Sequence, residues 1–86
     1  MSLEETVNER ISFLKEQITP SNRAIENETF QMQIDILRNA DRERVALFIL
    51  QKQKQLETCK NIHESDRLFT ELEALEWLQR QVVKYL

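Results

Sequence analysis

Glycine is absent from all 86 residues, where ordinary usage would supply about six. Tight hairpin turns, phosphate-cradling loops and nucleophile elbows draw on glycine for positive φ or close backbone approach. A fold of many β-hairpins and a nucleotide-binding loop are therefore both disfavoured. Proline occurs once, at Pro20, so helix breakers are few. The single cysteine, Cys59, excludes an intramolecular disulfide and argues against a stapled secreted module. The longest apolar run, Val45–Leu50, is six residues, against about 20 needed to cross a bilayer. The chain opens on Met1-Ser2-Leu3-Glu4-Glu5, acidic where a signal peptide is basic. The expectation is a cytoplasmic protein with no membrane segment.

What is present is charge and helical periodicity. The net charge is −3, which disfavours nucleic acid as the main partner. Its distribution is uneven: residues 1–37 sum to −4, residues 38–60 to +3 and residues 61–86 to −2. A basic middle between acidic ends suits neighbouring helices that select one another's register.

Ser2 followed by Glu5 makes a capping box. Leu3, Val7, Ile11, Leu14 and Ile18 then recur at helical spacing, predicting a helix over 3–18 that Pro20 ends. Thr19 as cap and Pro20 as first residue predict a second helix over 21–39. Within it, Phe30–Ile36 alternates as a strand would. Helix is preferred because no other segment alternates to pair with it, although a strand exchanged across a dimer has the same pattern. As a helix, it carries Ile25, Met32, Ile36 and Ala40 on one face and Phe30, Ile34 and Leu37 on another. Two apolar faces mark a helix that is central or shared with a second chain, and Phe30, Ile34 and Leu37 are the expected oligomer interface. Asn39 or Asp41 opens a third helix over 41–60. Its turn Val45–Leu50 is apolar all round and is expected to be deeply buried. The last helix, over 65–86, carries the stripe Leu68, Leu72, Leu75, Leu78, Val82 and Leu86; Asn61 with Glu64 makes a possible capping box at its start, and Ser65 or Asp66 an alternative one. The domain is single, spanning 1–86: an antiparallel bundle of three to four helices, completed by a second copy.

Candidate chemistry is sparse. Cys59 and the only histidine, His63, are four residues apart, but a structural zinc needs four N or S ligands and a catalytic one usually three. No metal or cofactor is expected. Cys59, or a serine activated by His63, lacks an oxyanion-hole loop, so no catalytic residue is assigned. Glu71, Glu73 and Glu76 read as a solvated helix face. Arg38, Arg42, Arg44, Lys52 and Lys54 suggest a helix-turn-helix reader, but the candidate recognition helix begins with six apolar residues, a poor base-reading surface. A small DNA-binding regulator is thus the runner-up.

Trp77 falls opposite the last helix's stripe, among Glu73, Gln81 and Lys84. An exposed tryptophan amid charge is an interface anchor; the alternative is an indole covered by a loop or by the first helix. The expected role is a non-enzymatic protein–protein interaction or assembly module, with Trp77, Glu73, Gln81 and Lys84 meeting the partner.

Overall fold

The computed structural model describes residues 2–85. Four helices follow one another: α1 (Leu3–Gln17), α2 (Ala24–Asn39), α3 (Val45–Thr58) and α4 (Ile62–Tyr85), with a 3-10 turn at Arg42–Arg44 leading into α3. No strand occurs among the described residues, so the alternation across Phe30–Ile36 is helical and the chain is an all-α bundle. Leu86, the last member of the expected α4 stripe, lies outside the described residues.

Side-chain caps decide where the helices begin. The Ser2 hydroxyl accepts the Glu5 N–H at 3.1 Å and starts α1. Thr19 does not cap α2: the Asn22 N–H bonds the Thr19 carbonyl in a turn, and α2 begins at Ala24 instead of residue 21. Asn61 does cap α4, accepting the N–H groups of His63 at 2.9 Å and Glu64 at 3.4 Å, which brings the start forward from 65 to 62. Ala40 and Asp41 are extended and separate α2 from α3.

Without glycine, no described residue has positive φ. Helices α1, α2 and α3 run out into the extended residues Ile18, Ala40 and Cys59 in place of a left-handed cap. Side chains satisfy backbone acceptors that the ends release. The Asn22 amide donates to the Gln17 carbonyl at 2.5 Å and to Asn27 Oδ1 at 3.0 Å, and the Asn27 amide donates to the Thr19 carbonyl at 2.9 Å. This pair fixes the α1–α2 link. Asn27→Ala removes one of two hydrogen bonds at the Thr19 carbonyl and one of two at the Asn22 amide, and about 1 kcal/mol should be lost in urea unfolding; an unchanged midpoint would show the link to be held by packing alone.

Val7, Ile11 and Leu14 of α1, Ile34 and Leu37 of α2, Val45 of α3, and Leu75 and Leu78 of α4 form one core cluster. Helix α4 is the hub, in contact with all three other helices, whereas no Cα of α2 lies within 8 Å of one in α3. At 24 residues α4 is about 36 Å long, and the partners spread around it give a slab of 39 × 35 × 16 Å. The radius of gyration, 13.5 Å, exceeds the roughly 12 Å of a compact domain this size.

Two expectations need correcting. Of Val45–Leu50 only Val45 is buried; Phe48 and Ile49 are half-buried, and Leu47 and Leu50 are each 49% exposed. Helix α3 is an edge element with one wall to lean on, so its far side stays in solvent. Secondly, Ile34 and Leu37 do not face a partner: both are 1% exposed within the chain's own core, and Phe30 packs against the same cluster. The outward stripe of α2 is the other one, that of Ile25, Met32, Ile36 and Ala40.

An ion pair closes the edge between α1 and the 3-10 turn. Arg42 donates from Nε and Nη2 to the two Glu4 carboxylate oxygens, each at 3.1 Å. These bonds hold the Glu4 carboxyl below its ordinary value of 4.5. A lowered folded-state value stabilises the fold above the unfolded value, and the gain disappears as pH falls through the lowered one. Glu4 is 63% exposed, so Glu4→Gln should cost under about 1 kcal/mol at neutral pH and nothing in strong acid. A cost that persists there would count against this pair.

Candidate functional site

The separation of α2 from α3 leaves an open groove over α4. One half, of about 400 Å³, has Met32, Ile36 and Ala40 of α2, Phe48 of α3 and Leu75 of α4 as its apolar lining. The other half, of about 490 Å³, continues past Ile25 and Thr29 to His63 and Asp66 at the start of α4. The halves share Met32, Asp35 and Arg67, so they form a single trough along α2.

Its electrostatics follow from a three-residue network. Lys52 Nζ lies 2.6 Å and Arg67 Nε 3.5 Å from the Glu71 carboxylate, whose side chain is only 14% exposed. Both groove cations thus flank one carboxylate. Glu28, Asp35 and Asp66 remain along the rim, giving the groove four carboxylates against two cations. Among the described residues Asp35 receives only a neutral donor, the Gln31 amide at 2.9 Å. The trough is therefore apolar toward Ala40, where Asp35 and Glu71 are matched by Lys52 and Arg67. Toward Ile25 it is polar and acidic, because Glu28, Asp35 and Asp66 outnumber Arg67. It suits an apolar ligand with basic groups better than an anionic one.

Trp77 is half-buried and lies beside the first helix. Arg10 of α1 lies 5.6 Å from the Trp77 ring centroid and 5.3 Å from that of Phe13, a cation between two rings. Together with the Thr6–Tyr85 hydroxyl bond of 2.8 Å, it pins α1 antiparallel along α4. Trp77 is half-buried against the core, so its expected role as a free anchor is withdrawn. Glu73 is exposed and joins Trp77 at a small cleft, about 60 Å³, above Gln33. Gln81 and Lys84 stand apart from that cleft, and the Lys84 ammonium sits 5.8 Å over the Tyr85 ring.

His63 is exposed and contributes its backbone N–H to the α4 cap; the Cys59 thiol donates to the Asn61 carbonyl at 3.3 Å. Among the described residues no three of His, Cys, Asp and Glu stand close enough to hold a metal ion, and no helix is long and apolar enough to cross a membrane. The basic residues once weighed for DNA are partly engaged: Arg42 with Glu4, Arg44 with Asp41 and Lys52 with Glu71.

The α2 stripe was legible as a second apolar face. That it lines a groove was not, because groove formation depends on α2 and α3 diverging. No protein-family profile, curated protein or solved structure matches the chain, so the groove's meaning rests on its own geometry.

Proposed function

We propose that the chain is a non-enzymatic protein–protein interaction module whose binding surface is the α2–α3–α4 groove. The observation that carries this is the groove's make-up: an apolar stretch of Met32, Ile36, Phe48 and Leu75 that runs on, open along α2, into an acidic stretch with Glu28, Asp35 and Asp66. Grooves with an apolar lining of this kind accept an amphipathic helix, whose apolar face packs on the lining and whose basic groups meet the carboxylates. The exposed area supports the same reading. A compact monomer of 10.4 kDa presents about 5400 Å²; this one presents 6124 Å², about 700 Å² more.

A photo-crosslinking amino acid at Asn39, an exposed groove residue, tests the proposal in cells of the native source. A discrete protein adduct is expected, and Ile36→Glu, which puts charge on the apolar stretch, should remove it. Absence of any protein adduct, or an adduct indifferent to Ile36→Glu, counts against the groove as the binding surface.

A further inference from the structure

Resting on that reading, we propose that the occupant of the groove is α3 of a second copy of this chain, and that the exchange is reciprocal. Three observations converge on it. The first is shape. Along α2 the groove runs from Ile25 to Ala40, about 22 Å of helix, and the 14 residues of α3 span about 21 Å.

The second is charge and apolarity together. With Val45 as origin and about 100° per residue, Leu47 and Lys54 lie near 200° and 180°, on the side of α3 turned away from α4. Leu47 is 49% exposed, Lys54 is exposed, and no ion pair engages Lys54 among the described residues. Arg44, at the head of α3, is 70% exposed and lies a distant 3.9 Å from its partner Asp41. This outer face thus sets Leu47 and Leu50 beside Lys54, with Arg44 at the head of α3 and the polar Gln51, Glu57 and Thr58 around them. Its unengaged cation is the complement of the groove carboxylates Glu28, Asp35 and Asp66. The +3 excess of residues 38–60, partly absorbed within the chain, finds its remaining counter-charges here.

The third is area. The chain exposes about 700 Å² more than a compact monomer of its mass, with Leu47, Leu50 and Ile25 among its exposed large hydrophobics, so both α3 and the groove have apolar surface left to cover. Symmetry adds a consequence. Because α3 supplies one wall of its own groove through Phe48 and Lys52, a second α3 laid in the trough runs beside the first. The first then lies in the second copy's trough, giving an isologous, closed two-fold dimer.

A charge-swap experiment on the full chain decides it. Lys54 and Asp35 are both exposed, so Lys54→Glu and Asp35→Lys each leave the fold intact, as circular dichroism would verify. At high micromolar concentration the unmodified chain should sediment at twice 10.4 kDa. Each single variant places like charges together twice in its own dimer, and self-association should weaken by roughly 100-fold. An equimolar mixture restores opposite charges at both positions and should sediment as a heterodimer. A monomeric parent, single variants that still dimerise, or a mixture that stays monomeric would each overturn self-docking. Failure here is separable from failure of the broader reading: a monomeric parent whose position-39 crosslink gives a heterologous adduct, lost on Ile36→Glu, keeps the groove as a binding surface and removes only the second copy from it.

Discussion

Leu78→Ala is expected to remove about 3–4 kcal/mol of folding free energy, a large share of the roughly 4–13 kcal/mol typical of an 86-residue chain. Leu78 is 0% exposed and sits on α4, the hub that all three other helices pack against. It belongs to the same cluster as Val7, Ile11 and Leu14 of α1, Ile34 and Leu37 of α2, and Val45 of α3. A void there is felt by every element at once, and an interior this small offers little neighbouring material to collapse into it. Urea unfolding followed by helical circular dichroism should show the midpoint falling by about 2 M or more. A cost below about 1 kcal/mol would mean that the core is looser than the burial of these side chains implies. The transition should stay single, because one cluster with members on every helix leaves no subset that can persist alone.

The second large effect concerns α3. Val45→Asp is expected to cost about 4 kcal/mol or more, since Val45 is 0% exposed and the substitution sets a carboxylate into the apolar cluster of Val7, Leu37, Leu75 and Leu78. Leu50→Asp, five residues on in the same apolar run, should cost about 1 kcal/mol or less, because half of that side chain is already in water. Both are to be measured at low chain concentration so that association does not enter. The contrast is diagnostic: a helix embedded on all sides would suffer from both substitutions alike, an edge helix from one only. Equal losses would contradict the edge placement of α3.

That contrast also marks the limit of what periodicity reveals. The stripe Val7, Ile11 and Leu14 was legible because α1 has one wet side and one dry side, and the pattern of residues mirrors that division. Val45–Leu50 carries no such division: six apolar residues in succession look the same whether a helix is surrounded or left bare on its far side. For α2 the presence of two apolar faces was readable, but their assignment was not. Ile34 and Leu37 went inward because α1 and α4 close over them, a matter of how three helices meet. Trp77 shows the same dependence. Measured from the leucine stripe of α4 it points away, yet the buried arc of that helix extends through Ala74, where a short side chain lets a neighbour approach. A single alanine on the flank was the available clue, and it is weak beside a row of leucines. The groove was hidden for a related reason, since it exists only because α2 and α3 part company over α4. The caps fared better: Ser2 and Asn61 act on backbone groups three or fewer residues away, a range over which local chemistry is decisive.

The stacking of Arg10 on Trp77 gives the molecule a built-in optical reporter. Trp77 is the only indole in the chain, and its environment is set by whether the first helix lies against the last. Emission should move to longer wavelength as that helix lifts away on unfolding, and quenching by acrylamide should rise in step with the loss of helical ellipticity. Since the groove opens between α2 and α3 and Trp77 is not among its lining residues, an occupant there should leave this fluorescence undisturbed. One tryptophan thus separates detachment of a helix from engagement of a ligand, without any label.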